Sequence, residues 1–241
     1  MGPPKLTNLH RQAAEWLALR VLNGTYPVGK ALPTEPDLCR ELGVSRTTVR
    51  SAVRELAAKG LLEVGPSRGT RVRSRHDWNL LDAEMMRWRI RLGVDRKLVQ
   101  DIYEMRECFE PRASQLAAER GTDQDHAAIA RAFDALEASR EQGGEPSVAA
   151  DVAFHVAILS SAGNDFIAAL SAVVTMALRV SFEIARQRRQ LSEDDIEQHR
   201  MIRDAILGRG GRRAFEATEQ LLVASKQVQM DAVANAKDAR R

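Results

Sequence analysis

The chain of 241 residues has few cysteines, few aromatic residues and no apolar run long enough to span a bilayer. Its two cysteines, Cys39 and Cys108, lie in helix-like segments, which predicts free thiols in a reducing cytoplasm rather than disulfides. The first residues contain no apolar signal-peptide core, so we expect no export signal. Aromatic residues make up 5% of the chain and hydrophobic residues 44%, which favours cores of Leu, Ala, Val and Ile between packed helices.

Positive charge is unevenly distributed along the chain, although the net charge of +3 is small. Residues 1–75 hold 13 Lys and Arg against 6 Asp and Glu, whereas the remaining residues hold 23 against 27. A basic first third on a mildly acidic body is the pattern expected when only one domain contacts phosphate. The charges therefore predict nucleic-acid binding by the N-terminal part of the chain alone.

Residues 32–59 have the pattern of two short helices joined by a tight turn. Thr34 can cap the first helix, and Gly43 can end it because glycine adopts the left-handed conformation at little cost. Ser45 can then cap a second helix, whose first residues are small, polar or basic. Such residues are typical of a recognition helix that enters the major groove. We predict DNA contacts from Ser45, Arg46, Thr47, Thr48 and Arg50.

Two strand-like segments follow the second helix, at 61–64 and 70–73. The turn between them carries Arg68 and Gly69 at its tip. Two helices followed by a basic-tipped hairpin predict a winged helix-turn-helix. The alternative is an ordinary pair of helices with a solvated basic face. The β-hairpin pattern that follows the helices disfavours this alternative.

The chain after the hairpin shows only helical patterns, so the predicted fold class is mostly α, with a small β-hairpin wing and a C-terminal helical bundle. We expect a winged-helix domain over 1–75, a linker and linking helix over 76–94, and a helical domain over 95–236. The linking helix is predicted from Trp78 to about Arg91. Further helices are predicted near 95–120, 123–141, 147–162, 164–189, 193–208 and 211–236.

A carboxylate and two imidazoles in the second domain are candidate metal ligands. Asp151 and His155 are four residues apart on one predicted helix, so their side chains leave the same face. Together with His199 on another helix, they can bind a divalent metal such as Zn²⁺. A surface Asp/His hydrogen bond and an ordinary surface histidine remain the alternatives, although apolar neighbours such as Phe154 favour burial.

The N-terminal motifs are similar to those of the GntR family of bacterial regulators. They are GTYPVGKALPTE at 24–35, LGVSRTTVR at 42–50 and RGT at 68–70. The resemblance implies that the recognition helix and the wing tip contact double-stranded operator DNA. The matching positions are Arg46, Thr47, Arg50, Arg68 and Gly69.

The second domain resembles the all-helical FCD effector domain of the FadR branch of that family. The matching motifs are YEMRECFEPRA at 103–113, DVAFH at 151–155, and the segment from 198 to 206. In that domain one Asp and three His often hold a metal, and Asp151, His155 and His199 match three of them. Gln220 and Leu221 stand where the resemblance places the fourth histidine, so water or an effector carboxylate would have to complete the site.

The resemblance also implies an effector pocket. Arg106 matches an arginine that pairs with the effector carboxylate, and its planar fork suits that group. The alternative is an internal salt bridge to Glu110, four residues on. Arg179 and Ser181 are further pocket candidates. The motif WNLLD at 78–82 resembles members of the branch that respond to sugar acids, which implies an aldonate such as galactonate or gluconate.

These observations predict a homodimeric cytoplasmic transcription regulator with no membrane partner. We expect a repressor of sugar-acid catabolism that leaves DNA when a small carboxylate binds the helical domain. One rival interpretation is a metal-dependent hydrolase that uses Asp151, His155 and His199 and carries a DNA-binding appendage. The others are a regulator that responds to a different organic acid and an architectural DNA-binding protein that senses no ligand. No general base beside the metal set and no Gly-rich phosphate loop is apparent, so we expect no enzyme.

Overall fold

The computed structural model describes residues 9–65, 69–184 and 191–238, with side chains except those of 181–184 and 236–238. The chain divides into two compact units, the first ending at Gly93 and the second beginning at Val94. None of the helices in the described ranges combines the length and apolarity that crossing a membrane requires.

The first unit contains the predicted helix-turn-helix, and local capping interactions set its helix ends. Thr34 Oγ1 accepts a hydrogen bond from the Asp37 backbone at the start of the first helix of this motif, and Gly43 ends the same helix with a φ of 66°. Ser45 Oγ accepts from the backbone of Thr48. Both caps and the glycine turn were predicted and are confirmed. The elements are α1 (Leu9–Leu22), α2 (Glu35–Leu42), α3 (Arg46–Ala58), β1 (Leu62–Gly65) and β2 (Gly69–Val72).

The predicted wing is an antiparallel pair of strands in which Leu62 lies opposite Val72. The limits of each strand differ by one residue from those that the sequence predicts. Gly60 joins α3 to the wing with a φ of +77°, and a Cβ there would lie 2.0 Å from the Asp77 carbonyl oxygen. Only glycine fits this junction, because both the backbone conformation and the neighbouring backbone exclude a side chain. The wing tip, with the predicted contact Arg68, lies outside the described residues.

The segment predicted as a linker packs into the core of the first unit. After a 3₁₀ turn at Arg75–Asp77, helix α4 (Ala83–Arg91) begins five residues later than predicted. Asp82 sets this start, because its carboxylate accepts hydrogen bonds from the Glu84 and Met85 backbones. Three large side chains of the segment join the core formed by α1 and α3: Trp78, Met85 and Trp88.

The second unit is an all-helical bundle in which α5 packs along α11, α6 along α7 and α10 along α11. Phe133 of α6 and Phe154 of α7 meet edge to face in its core, with ring centroids 6.1 Å apart. Its helices are α5 (Arg96–Arg120), α6 (Asp123–Ser139), α7 (Gly144–Ser160), α8 (Asp165–Ala169), α9 (Ser171–Ile184), α10 (Glu193–Leu207) and α11 (Gly211–Asp238).

The prediction of one long helix from residue 164 is wrong, because the chain turns at Leu170. The ψ of Leu170 is −6°, too far from the helical value of about −42° for the hydrogen-bond ladder to continue. Asn164 caps the short helix α8 by accepting hydrogen bonds from the backbones of Phe166 and Ile167. The end of the predicted helix, at 185–189, lies outside the described residues.

Candidate functional site

Helix α3 exposes the predicted contact residues on the side away from its core. Val49, Ala52 and Leu56 are buried against the rest of the first unit. The exposed residues at the start of the helix are Ser45, Arg46, Thr47 and Arg50, and Thr48 is half-buried. The hydroxyls of Ser45 and Thr48 lie 2.9 Å apart, so both belong to the N-terminal cap. The wing residue Gly69 is also exposed, with a φ of +69°.

Arg50 is held by a residue that the sequence analysis missed. Its Nε donates to both carboxylate oxygens of Glu35, at 3.0 Å each. Glu35 is the first residue of α2, 15 positions earlier in the chain. A pair at that separation has no periodic signal in the sequence, because the contact arises only where α2 crosses α3.

The second unit contains a buried cluster of five charged or titratable side chains, which we term the polar centre. Arg106 and Glu110 lie one turn apart on α5, and Asp151 and His155 lie one turn apart on α7. His199 comes from α10. Arg106, Glu110, His155 and His199 are buried, and Asp151 is partly buried. Three helices therefore converge on one polar site inside an apolar bundle.

Hydrogen bonds and ion-pair contacts connect the polar centre into one chain of partners. Arg106 donates to Glu110 through Nε at 2.6 Å and through Nη2 at 3.2 Å. Glu110 Oε2, which accepts the Nη2 bond, also lies 3.0 Å from His155 Nδ1. His199 Nε2 lies 3.1 Å from Asp151 Oδ1, and His155 Nε2 lies 3.6 Å from the same oxygen. Buried polar groups are stable only when partnered, and this chain satisfies that requirement.

The two histidines are oriented as metal ligands are. The Nδ1 of His155 faces Glu110, and the Nδ1 of His199 lies 2.6 Å from the carbonyl oxygen of Asp195. Each histidine therefore directs its Nε2 towards Asp151, and the three potential ligand atoms lie within 4.8 Å of one another. Outer partners that fix the imidazole in this way are typical of metal sites. Two imidazole nitrogens and one carboxylate oxygen also suit Zn²⁺ chemically.

Electrostatics keep the carboxylates of the polar centre ionised. Burial alone would raise the pKa of Glu110, but the charge of Arg106 and the contact with His155 outweigh it and lower the pKa to about 2. Burial is likewise outweighed at Asp151, where the hydrogen bond from His199 and the charge of His155 lower the pKa to about 2. At His199 burial lowers the pKa, yet the bond to Asp151 raises it above its ordinary value.

Of the other predicted effector residues, Arg106 belongs to the polar centre and Arg179 does not. Arg106 forms the internal salt bridge to Glu110 that the sequence left open as an alternative. Arg179 is exposed on α9 and bonds Glu145 at 3.0 Å. The side chain of Ser181 lies outside the described residues. At the position of the missing fourth histidine, Leu221 is buried in the apolar core and Gln220 is exposed.

A winged-helix unit with an exposed basic recognition helix, joined to a helical unit with a buried polar centre, defines a DNA-binding transcription regulator. Two family models match the chain: the gntR family of bacterial regulatory proteins over residues 9–72 and the FCD domain over residues 101–224. The chain belongs to the GntR family of transcription regulators, with a C-terminal FCD domain.

The chain is similar to transcription regulators along most of its length. The galactonate operon transcriptional repressor of Escherichia coli K12 is 31% identical over 210 residues, which cover 87% of this chain and 91% of that protein. The uncharacterised regulator YieP of the same strain is 33% identical over 89% of this chain and 93% of that protein. The solved structure of Lar from Listeria monocytogenes shares the fold, with a TM-score of 0.63, 18% identity, and coverage of 95% of this chain and 98% of that chain. The two Escherichia coli relatives are transcriptional regulators, and the family to which the chain belongs is one of regulators and not of hydrolases.

Proposed function

We propose that this protein represses a sugar-acid catabolic operon and leaves its operator when an aldonate binds the polar centre. The observation that carries the proposal is the convergence of Asp151, His155 and His199 inside the FCD domain. The similarity to the galactonate operon repressor supports a sugar acid such as galactonate as the effector. The site of action is the bacterial cytoplasm, where operator DNA is found.

The proposed DNA-binding surface is the exposed start of α3 together with the wing. Arg46 and Arg50 lie one turn apart, so both point to the same side of the helix. An arginine there can read a guanine through two hydrogen bonds, while Thr47 can contact phosphate or a thymine methyl group. We propose a homodimer, because two such helices can read the half-sites of a short palindrome.

The proposed effector site uses the polar centre in two ways. A divalent metal held by Asp151, His155 and His199 would supply a positive centre that prefers carboxylate and hydroxyl oxygens. An aldonate carries both groups on adjacent carbons. Arg106 adds a fixed positive charge beside the site, and an effector carboxylate competes with Glu110 for its guanidinium.

Release from DNA requires that the effector bind one state of the protein better than the other. A ligand with equal affinity for the DNA-bound and free states would shift nothing, however tightly it bound. The polar centre provides such a difference when an arriving carboxylate changes the partners of Arg106. Because Arg106 and Glu110 both belong to α5, this exchange changes the ion pairing of a helix that also packs along α11.

The test is a gel-shift assay of the full chain on DNA upstream of its own gene, with galactonate, gluconate and other aldonates. We expect binding without ligand and release by one aldonate. Galactose is the matched control, since it keeps the hydroxyl groups but lacks the carboxylate. DNA binding that no aldonate changes, with Zn²⁺ present or absent, would overturn the effector part of the proposal.

A further inference from the structure

We infer that Glu35 is a positioning residue for DNA reading, which holds Arg50 so that its terminal nitrogens face the edge of a base. The inference rests on the proposed role of Arg50 in the DNA-binding surface. Glu35 itself does not need to contact DNA for this role. It acts through Arg50 and thereby determines which base is preferred at one position of each half-site.

Arg50 contacts Glu35 through one of its three guanidinium nitrogens. Only Nε of Arg50 bonds Glu35, and it lies 3.0 Å from each carboxylate oxygen. The contact leaves the two terminal nitrogens, Nη1 and Nη2, as a fork at the outer end of the side chain. That fork matches the spacing of O6 and N7 of guanine, which is the commonest specific contact of arginine with DNA. The pair therefore directs Arg50 towards an end-on contact with guanine.

Both partners are attached to well-defined backbone. Glu35 follows the capping residue Thr34 at the start of α2, where the backbone amides favour a carboxylate. Arg50 lies in the second turn of α3, whose start is capped by Ser45. A side chain held in this way loses less conformational freedom on binding than a free one. The contact thus prepares Arg50 for binding in the absence of DNA.

Arg46 provides an internal comparison on the same helix face. It lies one turn before Arg50, and it makes no hydrogen bond or ion pair with the residues that the structure describes. Its side chain can therefore follow a phosphate or adapt to several bases. Of the two arginines, only Arg50 has a carboxylate partner that selects one orientation.

The sign of the charge at position 35 makes the inference testable. A carboxylate near DNA repels phosphates and lowers affinity for every sequence. If Glu35 positions Arg50, its removal raises affinity for random DNA and at the same time weakens the preference for one base. A residue that contributed only to folding or to general affinity would change both kinds of binding in the same direction.

The experiment selects DNA from a randomised pool of about 30 base pairs, using the full chain and four single variants. Glu35→Ala is expected to reduce the base preference about five- to tenfold, at the same position of the half-site at which Arg50→Ala reduces it. The same variant should bind random DNA at least as tightly as the parent. Glu35→Gln keeps an acceptor for Nε and should retain part of the preference. Glu41→Gln is the matched control, because it removes the same charge from an exposed position at the other end of α2.

A double variant separates the positioning role of Glu35 from the DNA contact of Arg50. In an Arg50→Ala background, Glu35→Ala should change no base preference further. A preference lost with Arg50→Ala but unchanged in Glu35→Ala would overturn the positioning role while leaving Arg50 as a DNA contact. A cytosine preference lost only with Glu35→Ala would also overturn it, since Glu35 would then contact the base itself. If Arg50→Ala changes neither affinity nor preference, the proposed DNA-binding surface fails at this residue.

Discussion

Two of the Arg–Glu pairs in this protein have similar chemistry in opposite surroundings. Arg50 and Glu35 in the first unit are 60% and 40% exposed in their side chains, whereas Arg106 and Glu110 in the second unit are 2% and 1% exposed. An exposed pair contributes little to stability because water and salt screen it. A buried pair cannot lose one partner without leaving an unpaired charge in the core. The exposed pair is therefore free to serve binding, while the buried pair is also part of the fold.

The surroundings of each pair also determine how a ligand can use it. DNA can approach the outer end of Arg50 without breaking the bond to Glu35, since the contact involves Nε alone. An effector carboxylate can reach Arg106 only by competing with Glu110, which already receives two hydrogen bonds from it. Competition of this kind couples ligand binding to the packing of α5. This difference suits the first pair to recognition and the second to a switch.

The largest expected effect comes from breaking the buried pair. Glu110→Ala should lower the free energy of unfolding of the second unit by about 3–5 kcal/mol, because Arg106 is left buried without its carboxylate. Urea unfolding of the full chain, followed by circular dichroism, measures this change. Replacing both partners, with Arg106→Met and Glu110→Leu, should recover most of the loss. Glu35→Ala is the exposed counterpart and should leave the urea midpoint unchanged, so equal effects of the two alanine variants would contradict the comparison.

Acid should destabilise the second unit for the same reason. Glu110 and Asp151 have folded-state pKa values of about 2, below the ordinary value of about 4 for a carboxyl group. Their contribution to stability is therefore present above pH ~4 and is lost as the pH falls towards 2. A thermal melting series over that range should show the loss, and Glu110→Gln should make the pH dependence shallower. A variant with the parent's pH dependence would show that Glu110 does not cause it.

Metal binding should stabilise the second unit by a smaller amount. At a free Zn²⁺ concentration 100 times its Kd, a site that forms only in the folded protein adds about 2.7 kcal/mol. His155→Ala should lose both the bound metal and the stabilisation, whereas the exposed His76→Ala should keep both. Elemental analysis and melting of the same samples measure the two effects. Equal metal content in parent and His155→Ala would remove the polar centre as the metal site.

The raised pKa of His199 predicts how metal binding depends on pH. Asp151 stabilises the protonated imidazole, so a proton competes with the metal up to a pH above the ordinary histidine value of about 6.5. Zn²⁺ affinity should therefore keep increasing with pH to a higher pH than it would at an ordinary histidine, with protons released on binding. Calorimetry in buffers of different ionisation enthalpy counts those protons. A Zn²⁺ affinity that does not change with pH would contradict competition between the proton and the metal at His199.

The smallest effect on folding, but a clear one on binding, is expected from the exposed arginines. Arg46→Ala and Arg50→Ala should weaken DNA binding about 5- to 100-fold without changing thermal stability, because both side chains are exposed. Arg179→Ala is the control, since it removes an exposed arginine from the second unit. Fluorescence anisotropy with labelled DNA compares the three. An equal loss with Arg179→Ala would indicate a general charge effect rather than a recognition surface.

Features that depend on neighbours in the chain could be predicted from the sequence. The caps at Thr34 and Ser45 and the glycine turn at Gly43 involve residues within four positions, and all three were confirmed. The same local rule placed Asp151 and His155 on one helix face. The GntR and FCD motifs also predicted the order of the two domains, and the two family models match the chain in that order.

Features that depend on contacts between helices could not be predicted. The bond from Arg50 to Glu35 and the contact of His155 with Glu110 each join different helices, and no periodicity reports them. The start of α4 was misplaced because Trp78 packs into the core without being helical, and the apolar residues Leu80 and Leu81 that follow it are exposed. Tertiary packing decides such cases, and residue spacing does not encode it.

The most direct test is whether DNA binding and the response to the effector can be lost separately, by one substitution in each unit. Galactonate is titrated into complexes of labelled upstream DNA with the parent, Arg50→Ala and His155→Ala, and anisotropy reports the DNA that remains bound. We predict that the parent releases DNA, that His155→Ala binds DNA as tightly but does not release it, and that Arg50→Ala binds weakly yet still binds galactonate in a separate calorimetric titration. Normal release by His155→Ala would contradict a sensor at the polar centre.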